Sequence, residues 1–431
     1  MRLRRLATAI FAVAPFVKGQ SPVADPDWSS RLQSAIRLAV ARNPELSAME
    51  SRIEASRQRV AQAGSFPDPE LEVGIKDIPV SSPSLTRDNF TMEMITARQS
   101  LPGRGKLATR RASAEAASEN ALAMHAVHAV GIAADVADAF FGIAELDMRL
   151  EILERSRQRL KTTSASAKER YEVGKAGQSD VLRANLAATA LEDRLLSLRA
   201  ERRVLSARWN ALQALPARAA VPVIGPLDPV PSIPDSAAVE REAEEKSPAV
   251  AAARATLRRS KEELRLAGLD RRPDWMVSTY YGRREKFEDL AGAFVSINLP
   301  FAHPRRLEAK RAEMAAELSS ARADLEAVRN QIRRDVEAAA VELERNVEQE
   351  KLYRTTIVPQ AEINFRAAQE SYAVGQIDFE TYVRAALDLD TYEGEIATRA
   401  AGIGRALAAL QKASGLPLIA GTPSPGEPHE K

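Results

Sequence analysis

The chain has 431 residues, with 61 Lys+Arg against 59 Asp+Glu and a formal net charge of +2. That balance leaves no basic excess for wrapping nucleic acid. The absence of cysteine excludes disulfides, thiol catalysis, cysteine-bound metal and a lipidated cysteine at a processed N-terminus. Aromatics are 5% of residues, hydrophobics 45% and charged residues 28%. Text this rich in Ala, Leu, Glu and Arg points to long helices and not to a compact enzyme core.

Residues 1–20 read as a secretory signal. Arg2, Arg4 and Arg5 precede the largely apolar run Leu6 to Val17, which is too short to span a bilayer as a helix. Val17-Lys18-Gly19 is a passable cleavage site. Removing this segment takes four positive charges with it and turns the formal net charge from +2 to −2. No later segment has the roughly 18 uninterrupted apolar residues of a membrane helix, so any crossing of a membrane falls to β-strands.

Residues 21–215 then predict one unit. A helical stretch over Trp28–Ala63 is interrupted at Pro44, and a β-like region follows from Glu70 to Leu101. A very long helix runs from about Gly105 to Tyr171. A turn at Val173–Gln178 is broken by Gly174 and Gly177, and a returning helix runs from Ser179 to Leu212. Residues 216–235 form a link whose six prolines forbid a continuous helix. Residues 236–415 repeat the order: helix 236–270, strands 275–299, long helix 304–372, turn 373–378 and helix 379–413. Pro359 is expected to kink the second long helix, whereas its counterpart Gln158 leaves the first intact. The tail 416–431 is rich in Pro and Gly and is expected to be disordered.

The repetition is visible residue by residue. Tyr171, Val173, Gly174, Arg183 and Ala184 coincide with Tyr372, Val374, Gly375, Arg384 and Ala385 at an offset of 201. Asn43-Pro44 matches Ser247-Pro248 at 204, and Leu101-Pro102 matches Leu299-Pro300 at 198. Three ordered anchors at nearly one offset indicate a duplicated half. Each long helix spans about 100 Å at 1.5 Å per residue, and the shorter helices about 53 Å apiece. Two short helices laid end to end therefore match one long one. Val136, Phe140, Ile143, Leu150 and Leu153 keep coiled-coil spacing, as do Leu195, Leu198, Leu205, Trp209 and Leu212. The fold class is mainly α with a small β part.

The strands alternate. Leu71, Val73 and Ile75 share one face opposite Glu70, Glu72 and Lys76. Phe90, Met92 and Met94 share another, read here as the apolar side. Trp275, Val277, Thr279 and Tyr281 align, as do Ala293, Val295, Ile297 and Leu299. Soluble sheets alternate too, but a membrane barrel requires it. Four strands cannot close alone in lipid, where open edges are not tolerated, so several chains must share one barrel. Two chains give a filled interior and three give a pore.

On these residues the chain resembles the TolC-type outer membrane efflux protein family. The resemblance rests on the duplication, the helix–two-strand–helix order, Tyr171 to Ala184, and Gln99-Ser100-Leu101-Pro102-Gly103-Arg104-Gly105-Lys106. It implies a homotrimer in the outer membrane of a Gram-negative bacterium. A shared 12-stranded barrel would sit in the lipid bilayer, with a coiled-coil α-barrel in the periplasm. It implies no enzyme, no cofactor and no bound metal. The chain would be the passive exit duct of a tripartite pump that meets a periplasmic adaptor and an inner-membrane resistance–nodulation–division transporter. Phe66-Pro67-Asp68-Pro69-Glu70, with the Gln99–Lys106 motif, is similar to members paired with heavy-metal pumps for copper, silver, cobalt, zinc or cadmium. Multidrug export and type I protein secretion are the alternatives for the same duct. A periplasmic coiled-coil adaptor is the alternative of another class, disfavoured by the duplicated strand pairs.

The resemblance places the adaptor-facing tip at Gly174, Asp180, Gly375, Asp378, Glu380 and Arg384. Thr381 and Arg384 stand where some members carry aspartates, so the tip is a mixed-charge ring or a plain solvated turn. Other residues have competing structural readings. His125 and His128, beside Met124, have i, i+3 spacing that suits a metal, yet no third strong ligand is near in sequence. Met92 and Met94 offer thioethers to a soft cation but read as lipid-facing residues. Gly103-Arg104-Gly105-Lys106 lacks the flanking glycine and hydroxyl of a phosphate loop. No nucleophile–base constellation is visible.

Overall fold

Proline sets the first boundaries. In the computed structural model, which describes residues 27–81, 83–173, 177–227, 234–300 and 304–423, α1 (Asp27–Arg42) stops where Asn43 turns extended ahead of Pro44. Helix α2 (Pro44–Ala63) then restarts, with Asn43 Oδ1 accepting from the Glu45 and Leu46 amides at 2.8 and 3.4 Å. The second half copies this break. The helix expected over 236–270 is two helices, α5 (Ser236–Lys246) and α6 (Pro248–Leu269), because Ser247 before Pro248 leaves the helical region at ψ 132.

The remaining elements follow the expected order. Strands β1 (Glu70–Lys76) and β2 (Met92–Leu101) precede the long helix α3 (Lys106–Glu172) and the returning α4 (Gln178–Leu212). Strands β3 (Trp275–Arg283) and β4 (Leu290–Ile297) precede α7 (Pro304–Leu352), α8 (Val358–Ala373) and α9 (Phe379–Ser414). Pro359 has no N–H to give to the carbonyl of Thr355. The ladder adapts with a π-helical turn over Tyr353–Ile357, in which the Val358 amide reaches back to the Tyr353 carbonyl. The first long helix has no such interruption over its 67 residues.

Helices α1, α2 and α4 lie along α3, which also packs on α6 and α9; α5, α6 and α9 lie along α7, and α9 continues along α8. The main core gathers Leu32, Ile36 and Ala39 of α1, Val136, Phe140 and Phe141 of α3, and Ala401 and Ala408 of α9. Gly404 lets the Phe141 ring lie flat on α9, where any side chain would overlap it. Helix α3 holds the one stretch among the described residues long and apolar enough to cross a membrane, and 67% of that window is buried inside the chain. It is a core helix.

The Pro-rich link is anchored over its described part: Arg31 donates to the Val223 and Ile224 carbonyls, and Ile224 and Leu227 are buried. The expectation of a disordered tail from 416 needs correction at its start. Leu416 and Ile419 are buried, and Gln411 Oε1 accepts from the Ile419 amide at 2.8 Å. A buried glutamine inside α9 supplies the acceptor that holds the tail down. Residues 1–20 and 424–431 lie outside the described residues.

The four strands form one antiparallel sheet in the order β1-β2-β3-β4. Opposed residues share a face. Val73, Ile95, Tyr281 and Ala291 are aligned by register, as are Leu101, Trp275 and Ile297. This face is apolar and exposed, with Leu71 and Val73 each 71% accessible. The other face carries Glu72, Thr96, Arg98, Ser278 and Ser296, with Tyr280 stacked on Phe294 at 5.7 Å. Met92 and Met94 belong to this polar face, which corrects the lipid-facing reading. They alternate in phase with Thr96 and Arg98, and Gly282 on β3 leaves room for Met92, which is buried. Phe90 precedes β2, so its exposure does not carry over to Met92 and Met94.

Candidate functional site

The end of the bundle farthest from the sheet is built from two hairpin turns. Gly174 falls at residues 174–176, outside the described residues. The α8–α9 turn is fully described. Gly375, at φ +80, places its amide 3.1 Å from the Tyr372 carbonyl, and the Gln376 amide lies 2.8 Å from the Ser371 carbonyl. This double bond closes α8 around a left-handed residue, the geometry that glycine adopts without a Cβ penalty. Two residues on, Asp378 caps α9, its Oδ1 accepting from the Thr381 amide at 2.8 Å. The bonds from Thr381, with the fields of Arg183 and Arg384, hold the Asp378 carboxyl below its usual range. Across the tip, Asp180 Oδ2 accepts from the Gly177 amide at 3.3 Å and ties down the start of α4.

Glu380 joins the two hairpins. It accepts Arg183 Nη1 of α4 at 2.6 Å and Arg384 Nη2 of its own helix at 3.2 Å. Arg183 and Arg384 are the repeat-related pair, so one carboxylate receives both copies of a duplicated cation. All three side chains are about half exposed or more, which limits each link to about 0.2–1 kcal/mol. Of the expected tip residues, the structure brings Glu380 and Arg384 together and leaves Asp180 and Asp378 as helix caps. Sequence reasoning used Arg183 only as a repeat marker. Its contact depends on how α4 and α9 lie side by side.

Behind the tip lies an aromatic cluster. Tyr372 stacks on Tyr382 at 5.2 Å, with Phe365 and Phe379 beside them. It packs on Leu160, Ala167, Ala184 and Leu191 of the first hairpin. Further along, α9 meets α3 through a buried polar clamp. Asp390 accepts from the Ser156 hydroxyl and the Arg159 guanidinium, and Glu393 accepts Arg155 Nη2 at 3.1 Å. Burial pushes the Asp390 and Glu393 carboxyls above their ordinary values, although the Ser156 bond and the arginines oppose it. Arg159 also lies 5.6 Å from the Phe365 ring centre and so touches α8. Asp390 falls in the apolar stripe Tyr382, Val383, Ala386, Leu389 of α9. An acid in a core stripe was the signal that would have found it.

The remaining candidates do not assemble into a chemical site. His125 is half-buried and His128 exposed, and no group of three or more His, Asp or Glu suited to a metal occurs among the described residues. Gly103, Arg104 and Gly105 form the passage from β2 to α3. There the Gly103 amide and Lys106 Nζ both reach Asp274 Oδ1, at 2.6 and 2.8 Å. The Lys106 ammonium is thus a buried strut between the repeats.

With this geometry in hand, comparison with known proteins finds the profile of the outer membrane efflux protein family over residues 35–215 and 239–416. Both repeats are matched. The cobalt-zinc-cadmium resistance protein CzcC of Cupriavidus metallidurans is 30% identical over 278 residues, and that stretch spans 62% of each chain. Among solved structures, the outer membrane protein VceC of Vibrio cholerae superposes with a TM-score of 0.77 at 17% identity, covering 90% of this chain and 96% of that one. The open-state MtrE outer membrane channel of Neisseria gonorrhoeae gives 0.74 at 17% identity, covering 91% of both.

Proposed function

Because the chain belongs to the outer membrane efflux protein family, we propose that three copies close their sheets into one barrel and their helices into one tunnel, forming the exit duct of a tripartite metal-efflux pump. The family is one of transport ducts and not of enzymes. The chain is an outer membrane protein with its helices on the periplasmic side. The observation that carries the trimer is the sheet itself. Its apolar face is exposed, and β1 and β4 are open edges. Unpaired backbone groups cost several kcal/mol each in hydrocarbon. Pairing β4 of one copy with β1 of the next removes every edge. Three copies supply 12 strands, enough to leave a pore.

The tip residues Asp180, Gly375, Asp378, Glu380 and Arg384, with Arg183, are assigned to the periplasmic end that meets an adaptor, and through it an inner-membrane transporter. Gly174 joins them by repeat symmetry with Gly375. The adaptor reading of the chain itself is set aside, since two hairpins and four strands belong to a duct. The similarity to CzcC supports divalent metal ions as cargo.

The test has two arms. Cross-linking and mass measurement of the detergent-extracted protein should give a trimer with channel conductance in planar bilayers; a monomer without conductance refutes the duct. Growth of a deletion strain across copper, silver, zinc, cobalt, cadmium and organic toxicants, with complementation, then reads the cargo. Sensitivity confined to metals supports the pump assignment. Sensitivity to organic compounds alone leaves the duct and moves its cargo to multidrug export.

A further inference from the structure

The junction between strands and helices carries a belt of positive charge that the duct itself does not use. Arg104 follows β2, Arg110 lies in the second turn of α3, and Arg271 precedes β3. Arg305, Arg306 and Arg311 open α7 just after β4. All six are exposed, and none is ion-paired with a carboxylate among the described residues. Asp274 holds Lys106, Glu115 holds Arg111 and Glu313 holds Lys310, while Asp68, Glu70, Asp270 and Glu308 are too few to balance the remaining arginines. Residues 64–70, 102–111, 270–275 and 304–311 together carry a formal charge of +5, against +2 for the whole chain. The excess is therefore local.

Helix electrostatics oppose this placement. A helix N-terminus favours acids in its first turn. Neither α3 nor α7 has one there, and Gly105 offers α3 no side-chain cap. Arg305 and Arg306 sit in the first turn of α7, against its dipole. The helix dipoles therefore do not account for cations at this level. Directly above lies the apolar row Leu101, Trp275 and Ile297, joined by register across three strands. Trp275, 44% exposed, has the amphipathic ring that settles at a membrane–water boundary. Six residues up the same face of β3, or about 20 Å, Tyr281 marks the other side of an apolar band.

We propose that these arginines bind the phosphates of anionic phospholipids in the periplasmic leaflet, and so fix the height of the barrel in the membrane. This rests on the barrel reading above. Arg110 and Arg311 lie within about 11 Å of the starts of α3 and α7, seven helical residues at most, and the other four lie in or beside the connections between strands and helices, the level of the headgroups when Trp275 lies at the edge of the hydrocarbon. A guanidinium pairs with a phosphate through two parallel hydrogen bonds. Three copies triple the charge.

The experiment uses the full-length trimer, exchanged from vesicles of phosphatidylglycerol or of phosphatidylcholine into detergent, with retained phospholipid counted by mass spectrometry. Inorganic phosphate alone is the control for a headgroup-independent anion site. The wild type should retain phosphatidylglycerol in preference, and less of it at high salt. The double variants Arg305→Gln/Arg306→Gln and Arg110→Gln/Arg271→Gln should lose retention by roughly fivefold per arginine. Arg52→Gln and Arg203→Gln, on α2 and α4, should change nothing. Conductance of each variant in planar bilayers shows that it still assembles. Equal retention of the two lipids, retention unchanged in both double variants, or competition by inorganic phosphate as strong as by lipid overturns the proposal. So does a shifted reversal potential with unchanged lipid retention, which would place the arginines in the lumen. A wild type that forms no channel refutes the duct instead, and the two failures are distinguishable.

Discussion

Replacing Asp390 with Ala tests whether the α3–α9 clamp holds the second hairpin. Asp390 is 4% exposed, and Ser156, whose hydroxyl it accepts, is 2% exposed. Leaving that hydroxyl without an acceptor costs about 1–3 kcal/mol. Arg159 loses its carboxylate as well. A fully buried unpaired charge costs about 3–5 kcal/mol, but the Arg159 side chain is 33% exposed, so water recovers much of that. The ionised carboxylate was itself unfavourably buried, which offsets part of the loss. A net cost of about 3 kcal/mol follows, or roughly a hundredfold faster hydrogen exchange for α9 amides near Asp390, at about 1.4 kcal/mol per factor of ten. The assay is hydrogen exchange by mass spectrometry on the detergent-solubilised protein, with the amides of α1 as internal control. Exchange accelerated less than threefold would show that apolar packing alone holds α9, and the clamp argument fails. The pH dependence provides a second reading. Burial raises the Asp390 and Glu393 pKa values in the packed state. The packed state then binds protons more tightly than the open one. Its stability is full below the ordinary carboxylate pKa and declines as pH rises through the raised values. In Asp390→Asn that decline should shrink to the part belonging to Glu393.

Three further outcomes follow from local geometry. Gly404→Ala places a methyl into the Phe141 ring and should cost about 1–3 kcal/mol, read as earlier thermal unfolding of the helical signal by circular dichroism; an unchanged transition refutes the close packing. Gly375→Ala forces a Cβ into φ +80 at about 1–2 kcal/mol, and should speed exchange at the 373–378 turn while leaving the sheet unaffected. Asp378→Ala removes the α9 cap and loosens the first turn of that helix. Because the Asp378 pKa is lowered, the wild-type contribution is present above the ordinary carboxylate pKa and fades as pH falls through the lowered value. The variant should therefore match the wild type in strong acid and differ at neutral pH, by exchange at Thr381 and Tyr382.

Element order was legible in the sequence because it rests on local chemistry. Proline at 44 and 248, glycine at 375 and alternation in the strands each act within a few residues. What the sequence left unread depends on register and helix rotation. Met92 and Met94 were assigned the wrong face because β2 carries apolar residues on both sides, and only pairing with β3 decides between them. Glu380 was legible as a tip residue, but its partner Arg183 lies 197 positions away. Asp390 was passed over because its partners are on α3. The tail from 416 was read as loose on composition alone, whereas its anchor, Gln411, lies inside the preceding helix.

The duplication sharpens this point, since the two hairpins differ where their chemistry is concentrated. The position equivalent to Asp390 is Thr189, which is exposed on α4. The position equivalent to Pro359 is Gln158, inside the unbroken α3. Only the second hairpin therefore combines a π turn with a buried acid. The π turn sits across from the clamp, with the Tyr353 ring 6.4 Å from that of Tyr392, between Asp390 and Glu393 on α9. Two copies of one ancestral unit began with the same contacts. The first is a continuous rod that offers Ser156 and Arg159 to the clamp between Leu153 and Leu160. The second is held to that rod by polar links at the tip and at the clamp, each sensitive to charge. Such links are cheaper to open than packed leucine, because water takes over the bonds they release. Helix α4 is also tied to α3 by charge, through Arg202 on the buried Asp147 and Arg199 on Glu154, so what sets the second hairpin apart is the π turn beside its clamp, the place where its backbone ladder is already loosened.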